Sequence, residues 1–401
     1  MRALPLKFNF INIINSFSIY LLVAYIPLFI LLNANNFIIL LFIKLCIFSF
    51  FFLNFIYLIR SKIKIYIFWF IVLIIYLLNN IYLHSTNGIY IFICGVWSYL
   101  SLLAFSNNFQ LDKKFYIWLV IILMTISIII LKDFYINKNT RALGNIINPN
   151  TLSLFVCGIY YFITMSKDNY DKFKIIFILC AIIILFTNSR SGSIVFVCTV
   201  FILFINKKNI INFSILVLTI LILNNSIDNR GGYEKFYINQ IDSDKGNSRL
   251  EQSKRGFINF FNEKSLIIKS KKIIFGDSFG IATNTYLNFN YKYNDKVGDL
   301  LNVNGSRDIT KIKNMSTDYL TVNSLIYNGG LLLFIFFIKI ILFYPHINII
   351  KIKKKKDFII FVTYLFIIGI ISLTMPFNEA FPVNILVISS TFNYFKKVNN
   401  Q

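Results

Sequence analysis

The sequence predicts an all-α integral membrane protein of about twelve transmembrane helices, with one large external (periplasmic) loop between the ninth and the tenth. Three observations predict it. Apolar residues make up 57% of the 401 positions and charged residues only 14%, against roughly 25% charged in soluble domains. The apolar residues come in long unbroken runs rather than amphipathic stripes. Residues 10–32, 37–59 and 65–83 are almost uncharged, and a run of about twenty such residues crosses a hydrocarbon core of roughly 30 Å as a helix. The basic residues between the runs alternate in density, as membrane connections do.

The spans are 10–32, 37–59, 65–83, 88–106, 115–131, 150–166, 173–188, 192–206, 210–224, 317–344, 358–375 and 382–395. Arg2 and Lys7 precede the first. Its length, and the lack of an A-x-A site behind it, predict a retained helix rather than a cleaved signal peptide. One set of connections holds Arg2/Lys7, Arg60/Lys62/Lys64, Lys113/Lys114, Lys167/Lys172/Lys174, Lys207/Lys208, the run 351–356 and Lys396/Lys397. The opposite short connections hold only Lys132, Lys138, Arg141 and Arg190. The positive-inside rule then puts both termini in the cytoplasm. Three regions follow: helices one to nine over 1–224, the loop over 225–316, and helices ten to twelve with a short tail over 317–401. The loop is polar and its basic residues do not oppose the topology, because long loops cross largely regardless of charge. Within it, 248–261 (SRLEQSKRGFINFF) places Leu250, Phe257 and Phe261 on one helical face beside Arg249, Lys254 and Arg255. Two readings stand: a helix lying on the membrane surface, or a small folded loop packing its own aromatics.

The 40 Lys+Arg against 17 Asp+Glu give a net charge of +23. On a soluble protein that would suggest nucleic acid. Here the basic residues flank apolar helices and hold their cytoplasmic ends, so the expected partner is membrane lipid and not nucleic acid. Cys46, Cys94, Cys157, Cys180 and Cys198 all lie inside apolar runs without metal-ligand spacing, and read as small buried hydrophobes. His84 and His346 fall on opposite faces of the predicted topology. A Walker motif, a Gly-rich dinucleotide fingerprint and a nucleophile elbow are all missing, which argues against a cytoplasmic nucleotide-dependent enzyme.

A pattern remains at the external helix ends. Residues 141–151 read RALGNIINPNT, with Arg141 ahead of Pro149 where the sixth helix begins. Residues 187–193 read TNSRSGS, a turn between two runs each shorter than a full span. That turn is expected to dip below the membrane surface, where the charge of Arg190 is costly without an anion. Residues 316–320 read STDYL and open the tenth helix, ahead of Gly329 and Gly330. Helices six, eight and ten all point their N-termini outward, and helix N-termini suit phosphate. Arginine suits bidentate phosphate contacts. The reading is an external anion site, for which a lipid-linked phosphate is the natural ligand. The alternative for each arginine is an interfacial anchor or a partner for an acidic group.

At these residues the chain resembles the O-antigen polymerase and O-antigen ligase superfamily of bacterial envelope glycosyltransferases. The resemblance covers residues 141–335. It rests on Arg141 with Asn148-Pro149-Asn150, then Ser189-Arg190-Ser191-Gly192, then the loop with Arg249 or Arg255 and Gly276 to Gly280. Asp318-Tyr319-Leu320 and Gly329-Gly330 follow in the same order. Ligases usually carry a histidine in the motif after the loop. Here Ser316, Thr317 and Asp318 stand there, which puts a polymerase ahead of a ligase and leaves the general base open. A lipid-linked oligosaccharide flippase is the reading from a different class, disfavoured by the single dominant late loop and the lack of matching halves.

The resemblance implies a glycan linked through diphosphate to a polyprenyl lipid as donor and a second lipid-linked repeat as acceptor. Arg190 and Arg141 would stabilise the departing diphosphate, and Asp318 would act either as general base or as helix N-cap. Arg249 or Arg255 would hold the second lipid's phosphate or the growing glycan. Asn150, Ser191, Ser193 and Tyr319 are the further substrate-binding candidates, with stacking on sugars or plain loop packing as the two roles open to Tyr319. The scheme needs no cofactor and no metal. A chain-length regulator and a flippase are the protein partners it implies.

Overall fold

The computed structural model describes residues 113–137, 149–166, 173–206, 210–228, 265–276, 330–343, 354–375 and 377–399, with Tyr20, Val23, Ala24, Pro27, Ile71, Ile74, Ile75 and Leu78. Among them the regular structure is all helical. The helices are α1 (Lys113–Asn137), α2 (Pro149–Ser166), α3 (Phe173–Thr187), α4 (Arg190–Asn206), α5 (Ile210–Asp228), α6 (Leu266–Phe275), α7 (Gly330–Phe343), α8 (Lys355–Thr374) and α9 (Phe377–Asn399). The predicted spans 10–32, 37–59, 65–83 and 88–106 lie almost wholly outside the described residues, as does 248–261.

Two of these helices are long and apolar enough to cross a membrane, over Phe115–Ile136 and Lys355–Thr374. Pro149–Met165, Lys174–Thr187, Arg190–Ile205, Ile211–Asn225 and Val383–Phe395 are apolar but shorter. Of the predicted span 317–344, residues 317–329 lie outside the described residues. Gly330 has φ +63°, a left-handed backbone that cannot continue a right-handed helix, so α7 starts there and runs 14 residues.

Every residue of α2 from Thr151 to Met165 is buried, as is every residue of α9 from Val383 to Phe392. These two helices are the centre of the bundle and pack on each other, with α4, α3 and α8 around them, α1 outside α3 and α5 outside α4. Small residues make the central crossings close. Ser153 and Cys157, one turn apart on α2, meet Gly192 of α4, whose carbonyl accepts the Cys157 thiol at 3.2 Å. Gly158, on the neighbouring face, meets α9: a Cβ there would stand 3.0 Å from Val383 Cγ1. Several polar groups inside the core find partners, which offsets the cost of burying them. Tyr161 and Thr391 join α2 to α9 at 2.8 Å. Thr391 spends its own proton on the Val387 carbonyl, so the Tyr161 hydroxyl is the donor. The Tyr394 hydroxyl donates to the buried Asp357 carboxylate at 2.8 Å. That carboxylate sits in the first turn of α8, where the helix dipole favours negative charge.

The ring contacts give the direction of each helix. Phe115 at the start of α1 meets Phe162 near the end of α2, and Phe134 near the end of α1 meets Phe186 near the end of α3. Tyr160 of α2 meets Phe196 of α4, with Phe177 of α3 stacked on Phe196. Thus α1 and α3 run one way, and α2 and α4 run the other. The outer faces are apolar too. Ile117, Ile121, Met124 and Ile128 of α1, and Phe358, Val362 and Phe366 of α8, are exposed.

Candidate functional site

The site grows from the two-residue turn between α3 and α4. Thr187 closes α3 and donates its hydroxyl to the Ile184 carbonyl at 3.1 Å. Asn188 then takes φ 49°, the left-handed cap that Asn adopts more readily than most residues when Gly is absent. Its N–H reaches the Leu185 carbonyl at 3.3 Å. Ser189 is the N-cap of α4: its Oγ accepts the Gly192 N–H at 3.2 Å, three residues on. Its carbonyl accepts the Ser193 N–H at 2.9 Å, the first bond of the helix.

The Ser189 proton leaves the turn. It goes to Asn150 Oδ1 at 2.8 Å, and Asn150 is the second residue of α2, behind Pro149 at the position where proline suits a helix start. The Asn150 carbonyl in turn accepts the Ser153 hydroxyl at 3.1 Å. One fully buried hydroxyl therefore ties the N-terminus of α4 to that of α2. The register 150 to 189, 153 to 192 and 160 to 196 makes the two helices parallel. Their positive ends lie side by side, and Arg190 is the first residue of α4, half-buried with its Nε inside. An anion brought here would meet two aligned helix dipoles and a guanidinium.

The surroundings are polar but closed. Ser153, Thr187, Ser189 and Ser193 have no exposed surface, and Asn188 and Ser191 keep less than a tenth of theirs. Asn188 Oδ1 is buried and accepts no hydrogen bond among the described residues, a state that costs about 1–3 kcal/mol until a donor arrives.

Of the residues the sequence singled out, Asn150, Arg190, Ser191 and Ser193 come together here. Arg141, Arg249, Arg255, Asp318 and Tyr319 lie outside the described residues. Arg190 belongs to the first turn of α4 and not to the loop before a helix starting at 192. Sequence reasoning missed the junction role of Ser189 and the special backbone of Asn188. The available signals were the N-cap preference of Ser and the capping tendency of Asn.

The described residues thus define a helical bundle in which two parallel helices start at one polar, arginine-bearing junction. No family model matches the chain, and no curated protein or solved structure matches it.

The turn yields a test of its own. Asn188→Ala should lower stability by up to about 1 kcal/mol, because alanine tolerates a left-handed backbone less readily than asparagine, whereas Asn188→Gly, with no Cβ to strain, should show no such loss. Thermal unfolding of the purified variants compares them. Equal losses would mean that the backbone conformation is not the constraint.

Proposed function

We propose that the chain is a surface-polysaccharide polymerase of the O-antigen type, embedded in a bacterial plasma membrane by about twelve helices with both termini in the cytoplasm. It would join polyprenyl-diphosphate-linked oligosaccharide repeats at the outer face. The single observation that carries this reading is the junction of α2 and α4. Two helix N-termini and Arg190 are held together by the Ser189–Asn150 hydrogen bond, between two of the sequence motifs on which the resemblance rests.

Two further features support the membrane part. The outer faces of α1 and α8 are apolar, and a helix apolar all round suits lipid better than water. The 15 residues of α3 reach only about 22 Å, which supports a junction seated below the surface of a core roughly 30 Å thick.

In the proposed reaction a hydroxyl of the acceptor repeat attacks the anomeric carbon of the donor. A new C–O bond forms as the anomeric carbon's bond to the diphosphate oxygen breaks. The electron pair leaves with the lipid diphosphate, and Arg190, with Arg141, stabilises that charge. The hydroxyl proton passes to Asp318 in this scheme.

The glycan profile of cells lacking the chain tests the assignment. A polymerase loss leaves single repeats on the final acceptor. Long chains stranded on the carrier lipid would make the protein a ligase instead, and repeats trapped on the cytoplasmic face would make it a flippase.

A further inference from the structure

Helix α6 is unlike the others. It spans ten residues, LIIKSKKIIF, with no acidic side chain. At about 15 Å it is too short to cross a membrane, yet Leu266 and Ile267 are 81% and 82% exposed, and Ile274 is exposed beside them. With about 100° between successive residues, Leu266, Ser270, Ile274 and Ile267 share one arc of roughly 100°. The only polar group within that arc is turned inward: the Ser270 hydroxyl donates to the Leu266 carbonyl at 2.8 Å. Lys269 and Lys271 occupy the two shoulders of the arc.

The end of α6 is fixed. Gly276 takes φ +74° and closes the helix, and Gly330, φ +63°, opens α7 against it. A Cβ on Gly330 would stand 2.5 Å from the Gly276 nitrogen and 2.6 Å from the Ile274 carbonyl oxygen. The two backbones touch where only glycine fits, so α6 is anchored at the start of α7, which buries Leu333, Phe336 and Phe337 in the core.

We infer that α6 is an interfacial helix. Its Leu266–Ile267–Ile274 arc lies in the outer surface of the phospholipid bilayer, and its flanking lysines stand at the level of the lipid phosphates. An exposed apolar arc with basic shoulders and no acid suits that boundary, and the glycine contact holds the helix at the entry point of α7. The inference rests on the membrane reading above.

The test uses the full chain carrying Ile267→Cys, its five native cysteines replaced, labelled with an environment-sensitive fluorophore. Leu266→Cys serves as a second variant should the first fail to fold. The protein is reconstituted in vesicles of phosphatidylethanolamine and phosphatidylglycerol. The expected result is blue-shifted emission, quenching by a spin label carried near the lipid glycerol, and loss of most quenching by aqueous iodide. A chain that resists carbonate extraction but leaves the label open to iodide overturns the inference alone. A chain released by carbonate overturns the membrane reading and this inference with it.

Discussion

Arg190→Ala should abolish polymer formation, with a loss of about 100- to 1000-fold, the range seen when one preorganised donor to a developing negative charge is removed. The substitution is mild for the fold. Arg190 is the first residue of α4 and only half-buried, alanine is the best helix former, and the Ser189 cap bond to the Gly192 N–H does not involve the side chain. Abundance in the membrane fraction should therefore stay near wild type while the glycan ladder collapses to single repeats. Arg190→Lys should keep part of the activity, because an ammonium retains the charge and loses the planar fork that grips two phosphate oxygens. A wild-type ladder in the alanine variant would remove Arg190 from the mechanism.

Gly192→Ala should be the most damaging single-methyl change at the junction. The added Cβ would lie 2.5 Å from the Ser153 Cβ and press on the Ser153 hydroxyl, with no exposed surface on Ser153 to move into. Overpacking of this kind costs about 1–3 kcal/mol. Relief would come by separating α2 from α4, which stretches the Ser189–Asn150 bond and parts the two helix N-termini. Both thermal stability and polymer yield should fall, unlike the Arg190 variant, where only yield falls. Moving the glycine across the contact supplies the control. Gly192→Ala combined with Ser153→Gly restores the space, and the pair should be less harmful than the sum of the singles, as expected of residues in contact. Strict additivity would show that this crossing is not what holds the junction.

Much of the junction could be read along the chain. Pro149 marks the start of α2 because proline fits the first helical position, and TNSRSGS marks a break because it interrupts two apolar runs. What could not be read was which serine would matter. Ser189, Ser191 and Ser193 are equivalent as letters, yet only Ser189 both caps α4 and reaches Asn150, because it precedes the first turn, where its oxygen meets a free backbone N–H and its proton is left for a neighbour. Asn188 was silent for a similar reason: a left-handed φ belongs to the turn as folded and not to asparagine itself. The left-handed backbone of Gly330 was silent too, because hydropathy is blind to backbone hand and the apolar run continues past it.

Local residue patterns are enough to show that the described residues are helical, where most of their helices begin and end, and that charge gathers between them. Those are local properties, set by runs of apolar residues, by caps and by breakers. Only the tertiary structure decided which helices lie at the centre. α2 and α9 carry more Ser, Thr and Asn than α3 or α7, and Ser153 and Gly158 allow close crossings that bulkier faces forbid. The tertiary structure also brought residues 150 and 189 within one hydrogen bond, because parallel packing at close range aligns two distant helix starts at one end.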